Sequence, residues 1–287
     1  MDTRLGIIYR PDFHPDGLRR IAAAAEAAGI DELWVWEDCF QQGGIAQVAV
    51  ALASTERLSV GVGLIPAPLR NVAATAMEFA TLEAMFPGRT QIAVGHGVQS
   101  WMRQAGAAVD SPLTLLREYV IALRGLLTGD EVTVAGRYVN LSEVRLDFAP
   151  ERRLPILVGG TGPKTLRLAG EIADGVVIDS RYSTRTVHDA LGHVAAGRAE
   201  AGPRARPFTT LLFLVCAPGE DAARRLAEEA VRQEVPPEDV FGVGGTAEQI
   251  SAGLTPYREA GVDTIALQPL GSMDVMTEFI AAAGHVR

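Results

Sequence analysis

Apolar residues gather in short runs along the chain, and each run is followed by a longer stretch in which they fall three and four residues apart. Read as strands, the runs are 5–9, 32–36, 58–64, 90–95, 155–159, 175–179, 209–216 and 264–267. Within them the apolar positions are successive rather than alternating, as in strands covered on both faces of a parallel sheet. The stretches between are Ala-rich and have nameable helix ends. The helix over 16–28 stops at Gly29. Asn71 can cap VAATAMEFATLEAMF, which ends before Pro87-Gly88. Pro112 opens another helix at its first position, and Thr246 with Gln249 predicts a capping box. The segments EAAGIDELWV and REAGVDTIAL repeat one order: helix, glycine stop, acidic residue, strand.

Eight strand–helix units in succession predict an α/β fold, a (β/α)8 TIM barrel formed as a single domain by residues 1–287. The competing doubly wound sheet lacks a GxGxxG after its first strand. One segment breaks the rhythm. EVTVAGRYVNLSEVRL, 131–146, alternates and turns at Ala135-Gly136, so it predicts a short insertion hairpin between strands four and five, within about 130–150.

Composition narrows the function classes. With 48% hydrophobic and 21% charged residues the chain has the make-up of a globular protein. A net charge of −9, with no dense Lys/Arg run, speaks against a nucleic-acid partner. No apolar run approaches membrane-spanning length, and MDTRLGIIYR lacks the apolar core of a signal peptide. Two cysteines make no disulfide framework, so the expected location is the cytoplasm.

Barrel chemistry sits at the C-terminal ends of the strands. The fifth strand runs into a glycine loop and then a helix start, in LPILVGGTGPKTLRLAGEIADGVVID, 154–179. Backbone N–H groups at such a junction favour an anion. A Walker loop is excluded, because it would need glycines where Val158 and Pro163 stand. After strand two come Glu37 and Asp38, which alternate faces on an extended chain, so that only one should reach the barrel mouth. Either exchanges a proton there, or the pair forms a salt bridge to Arg10 or Arg70. His96, between Gly95 and Gly97, reads as an acid–base group or as a hydrogen-bonded loop histidine. His14 reads as a loop residue and Cys39 as packing. Trp34 and Trp36 fill the core or the mouth, and Trp101 packs or walls an aromatic ligand. Arg70, Arg103 and Lys164 are candidate anion partners. No His, Cys, Asp and Glu residues fall at metal-ligand spacing, so no metal is expected.

Together these stretches resemble the bacterial luciferase-like family of flavin- and deazaflavin-dependent oxidoreductases. The resemblance rests on LWVWEDCF, GVGLIPAPLRNVAATAMEFATLEAMFPGR, IAVGHGV, PILVGGTGPKTLRLAGEIADGVVI and GVGGTAEQISAGLTPYREAGVDTIAL, in that order along the chain. It implies a ring-shaped cofactor in the barrel mouth, a homodimer, and a bulge with a non-prolyl cis peptide at Gly63-Leu64 behind the ring. It implies that Gly159, Gly160, Thr161, Gly162, Pro163 and Lys164 cradle the cofactor, joined by Gly95 and Gly97. Where many relatives carry Asp-His, this chain has Asp38-Cys39, which leaves Asp38, Glu37 or His96 as the proton donor.

The function so implied is hydride transfer between coenzyme F420 (8-hydroxy-5-deazaflavin) and a small organic substrate. The alternatives are an FMN-dependent monooxygenase or reductase, and a non-catalytic flavin-binding barrel. A lyase or aldolase using Lys164 fits poorly, because that lysine falls past the strand end at a helix start.

Overall fold

The computed structural model describes residues 3–179, 183–202, 207–234, 242–283 and 286. In chain order the strands are β1 (Arg4–Tyr9), β2 (Glu32–Val35), β3 (Ser59–Pro66), β4 (Thr90–Gly95), β5 (Val132–Ala135) and β6 (Asn140–Val144). They continue with β7 (Ile156–Gly159), β8 (Gly175–Ile178), β9 (Thr209–Pro218), β10 (Val243–Gly245) and β11 (Thr264–Pro269). The first five α-helices are α1 (Leu18–Ala27), α2 (Gly44–Ala53), α3 (Val72–Met85), α4 (Gln99–Gln104) and α5 (Pro112–Leu127). The last five are α6 (Pro163–Ile172), α7 (Thr184–Ala201), α8 (Ala222–Arg232), α9 (Ala247–Glu259) and α10 (Met273–Ala282).

All eight runs read from the sequence are barrel strands. They pair in parallel in the order β11-β1-β2-β3-β4-β7-β8, and β9 closes the ring by pairing with both β8 and β11. The fold is a (β/α)8 TIM barrel. The helix ends follow the local chemistry: Asn71 accepts a hydrogen bond from the Ala73 N–H, and Thr246 and Gln249 form the reciprocal capping box. Gly29, past the end of α1, has φ +76°. Before α1, residues Pro15–Gly17 form a separate 3-10 turn. Among the described residues no helix is long and apolar enough to cross a membrane.

Two features differ from the sequence reading. The hairpin β5–β6 lies where expected, but Ala135 pairs with Asn140, so its loop spans four residues, 136–139. The Glu118 carboxylate on α5 accepts the N–H groups of Arg137, Tyr138 and Val139, and this contact from another element fixes the wider loop. The strand β10 was not foreseen. It joins the upper end of β9 at Cys216–Pro218, on the edge whose lower part, Thr209–Leu212, pairs with β8. Three residues, two of them glycine, form that strand only because β8 stops short.

The core has two compartments. Outward-facing strand residues such as Ile7, Leu33, Val60 and Ile92 are fully buried beneath the helices, and each contributes about 2 kcal/mol of burial. Inside the barrel Ile8, Trp34, Ala93, Leu157, Val177, Leu211, Phe213 and Ala266 form a separate cluster. Trp34 spans the interior and packs edge-on to Phe213 at 5.8 Å. It needs Gly61 opposite, where a Cβ would come within 2.5 Å of the indole. Below it the buried Glu32 carboxylate accepts the Trp34 Nε1–H at 2.7 Å and the Thr264 hydroxyl at 3.4 Å. The interior is therefore filled from below, and a cleft opens at the C-terminal ends of the strands.

Candidate active site

There the strands surround a cleft of about 510 Å3. Strand β2 leads into Trp36, Glu37 and Asp38, while β3 contributes Gly63, Leu64 and Pro66. The segment after β4 brings His96, Gly97, Val98, Gln99 and Trp101. The end of β7 brings Gly159, Gly160 and Thr161, β8 and its exit bring Val177 and Asp179, and β9 brings Phe213.

The back wall comes from an irregular strand. The register of β3 against β4 shifts between Val62 and Ile65, and the Gly63-Leu64 peptide is cis. The bulge lays the Leu64 side chain across the ends of β4 and β7. A Cβ on Gly159 would lie 2.4 Å from Leu64 Cδ2, and one on Gly95 2.7 Å from Leu64 Cδ1. Two of the glycines in the sequence motifs thus make room for Leu64. Gly97 is required for a different reason: its φ is +69°.

The polar groups separate by environment. Arg70 binds Glu37 through both carboxylate oxygens, at 2.9 and 3.0 Å, and Gly44 N–H donates to Oε2 at 2.9 Å. Of the two readings of Glu37, the salt bridge to Arg70 is the one seen. Both residues border the cleft, but the Glu37 carboxylate is held by Arg70 and the Gly44 N–H, while Asp38 keeps the parity of Trp34 and Trp36, so alternation leaves one carboxyl group, that of Asp38, for the mouth. Burial, and after it the charge of Asp179, pushes the Asp38 carboxyl above the ordinary aspartate range. His96 Nε2 lies 3.4 Å from Thr165 Oγ1. Burial, then Glu37 and Asp38, push the Cys39 thiol up, the opposite of an activated thiolate. The Trp36 Nε1–H is buried and has no partner among the described residues.

Six of the ten expected cofactor residues line the cleft: Gly63, Leu64, Gly97, Gly159, Gly160 and Thr161. Gly95 lies beneath Leu64. Gly162, Pro163 and Lys164 stand outside the wall at the start of α6, where Gly162 is an N-cap without a side-chain hydrogen bond. Sequence reasoning passed over Asp179, Val177, Phe213 and Gln99. Strand parity could have found Asp179, two residues beyond the inward Val177. The three residues that follow it, 180–182, lie outside the described residues.

Comparison with known proteins follows the same lines. The sequence profile of the luciferase-like monooxygenase family matches residues 3–243. The 5,10-methylenetetrahydromethanopterin reductase of Methanolobus tindarius is 27% identical over 279 residues, covering 97% of this chain and 81% of that protein. An F420-dependent glucose-6-phosphate dehydrogenase of Nocardia farcinica is 34% identical over 206 residues, 66% of this chain and 61% of that one. Among solved structures, an F420-dependent secondary alcohol dehydrogenase in complex with an F420-acetone adduct superposes over 100% of both chains, with a TM-score of 0.86 at 22% identity. That last likeness is one of fold.

Proposed function

The chain belongs to the luciferase-like monooxygenase family, and we propose that it is a coenzyme F420-dependent oxidoreductase acting on a small organic substrate. The observation that carries this reading is the Leu64 shelf: an apolar wall in a cleft of about 510 Å3, beside the Asp38 carboxyl, which burial pushes above the ordinary aspartate value. The residues present fit a flat heteroaromatic ring. The volume lies in the range of small-molecule sites, the walls are apolar, and the unpaired Trp36 Nε1–H offers a hydrogen bond to a polar ring edge. Similarity to an F420-dependent glucose-6-phosphate dehydrogenase supports the deazaflavin over FMN.

In this reading Gly63 and Leu64 back the ring, and Gly97, Gly159, Gly160 and Thr161 border it. Gly95 acts through Leu64. Gly162, Pro163 and Lys164 present the N-terminus of α6 to the anionic tail, where helix dipole and lysine both favour negative charge. When bound, a deazaflavin supplies two-electron hydride chemistry without the oxygen reactivity of FMN. The chain supplies position, a dry wall and a proton site. Asp38 holds that proton: burial, and after it the charge of Asp179, raises its carboxyl above the ordinary aspartate value, the direction a proton-holding group needs. Glu37, with both oxygens held, fixes Arg70 and the start of α2 instead. His96 is the second proton-exchanging candidate.

The test is anaerobic turnover with oxidised F420 and a panel of secondary alcohols, followed by loss of the cofactor's visible absorbance. Bleaching that needs no oxygen is the expected outcome. Turnover that requires FMN and oxygen would establish the monooxygenase alternative. Bound cofactor that no donor or acceptor changes would establish a carrier protein.

We also propose a homodimer, built on α3. Its exposed positions, Ala74, Met77, Thr81, Ala84 and Met85, form one stripe without a charge, with Met77 60% and Met85 64% accessible. The acidic residues of α3 are elsewhere: Glu78 faces Arg70 and Glu83 is buried. A solvent-facing helix side usually carries charge, and a contiguous apolar stripe marks a contact surface. The substitution Met77→Glu is expected to halve the mass measured by sedimentation, with the circular dichroism spectrum unchanged. An unchanged mass would remove α3 from the interface.

A further inference from the structure

The cleft has a floor made by side chains that also belong to the barrel interior. Val177 and Phe213 are members of the interior cluster and line the cleft, and Trp36 and Leu64 line it while packing against that cluster. Phe213 reaches furthest. It stands on β9, and β3 is as far from β9 as the closed ring allows. Yet a Cβ on Gly63 of β3 would lie 2.8 Å from Phe213 Cζ, so the phenyl ring crosses the barrel. Trp36 packs against it at 5.9 Å. Trp34, fully buried behind it, packs edge-on at 5.8 Å, within the range of favourable aromatic pairs. The Trp34 indole is itself anchored. Its N–H donates at 2.7 Å to Glu32, a buried carboxylate that also accepts the Thr264 hydroxyl and lies 3.3 Å from Arg4 Nε. A hydrogen bond to a carboxylate is among the stronger kinds, so the indole is fixed in place.

We propose that Phe213, braced through Trp34 by Glu32, sets the size of the apolar group a substrate can carry, and so restricts the cleft to short-chain secondary alcohols and the matching ketones. This rests on the proposed oxidoreductase reading for its substrate, but the floor itself does not depend on the cofactor. A cleft of about 510 Å3 that also holds a tricyclic ring leaves room for only a small second molecule. With the ring against Leu64, the space left for that molecule is bounded by Trp36, Val177 and Phe213. A close-packed interior yields little to an oversized group. Since Phe213 has Trp34 behind it and the Gly63 backbone at its tip, it cannot retreat from a longer chain.

Two measurements test this, the first without cofactor. Phe213→Ala should open an apolar cavity beside Trp34, and such a cavity binds benzene. Benzene is expected to raise the thermal midpoint of Phe213→Ala and to leave that of the native protein unchanged. If the alanine variant does not fold, Phe213→Leu gives the same comparison. A midpoint that benzene raises equally in native and variant protein, or in neither, would overturn the floor. In the holoenzyme with oxidised F420, the kcat/KM ratio of cyclohexanol to isopropanol is expected to rise at least about tenfold in Phe213→Ala, the scale of a misfit of a methylene group or more. An unchanged ratio would overturn the specificity role. Glu32→Gln keeps an acceptor for the indole N–H and should retain the native ratio, whereas Glu32→Leu should raise it. Equal ratios in the two Glu32 variants would overturn the brace. Absence of any turnover with F420 bears on the proposed function, and the benzene measurement still decides on the floor.

Discussion

Replacing Asp38 with asparagine is expected to slow turnover by about two to four orders of magnitude, the usual contribution of a positioned acid–base group, and to raise the thermal midpoint at the same time. The second half follows from the sign of the pKa shift. Burial and Asp179 raise the folded-state pKa of Asp38 above its unfolded value, so between those two values the folded protein binds more protons than the unfolded chain. Stability contributed by the group therefore falls as pH rises through that window, and the loss is complete above the folded pKa. Asparagine has no charge to desolvate. The gain in midpoint from Asp38→Asn should be largest above the raised folded-state pKa and vanish below the ordinary aspartate value. Scanning calorimetry of both proteins across pH measures it. A variant less stable at every pH would mean that the ionised carboxylate has a stabilising partner, and would remove Asp38 as the proton holder. Loss of activity with gain of stability is the pattern of a functional group held in an unfavourable place.

The second large effect concerns the helices that support the other side of the cleft. Where α6 crosses α7, a Cβ on Gly197 would lie 1.9 Å from the Arg167 carbonyl oxygen, and one on Gly170 would lie 2.1 Å from that of Val194. Both obstacles are backbone, so no rotamer relieves them and the helices must part. Gly197→Ala is expected to destabilise by about 3 kcal/mol, the upper part of the overpacking range. It should also weaken cofactor binding, because α6 begins in the Gly159–Lys164 loop and α7 follows the segment after Asp179. Gly192 provides the control within the same helix. A Cβ there meets nothing within 4 Å, so Gly192→Ala should stabilise by about 0.5–1 kcal/mol. Denaturant unfolding of the two variants should give changes of opposite sign. Equal, small changes would mean that α6 and α7 do not cross as closely as described.

Much of this was legible in the sequence, and the limits have physical causes. Strand burial on both faces leaves a direct trace in runs such as LWV and ILVG, so the barrel and its order could be read. Caps could be read too, since Asn71 and Thr246 bond groups two or three residues away. Pairings between distant elements left no such trace. The wide hairpin loop depends on Glu118, and β10 depends on where β8 ends. The motif glycines were read as close approach of backbone to a ring. In the fold, Gly95 and Gly159 accommodate Leu64 from another strand. Asp179 was not singled out, because only its parity with the inward Val177 brings it to the cleft that Asp38 also lines.

The account is tested most directly by a parallel fluorescence titration of the cofactor-free protein with F420 and with FMN. It predicts tight, saturable binding of F420 and much weaker binding of FMN, with F420 affinity reduced in Gly159→Val, where the added side chain would displace Leu64. Binding of neither cofactor would contradict it, because the cleft behind Leu64 would then not be a flavin-type site.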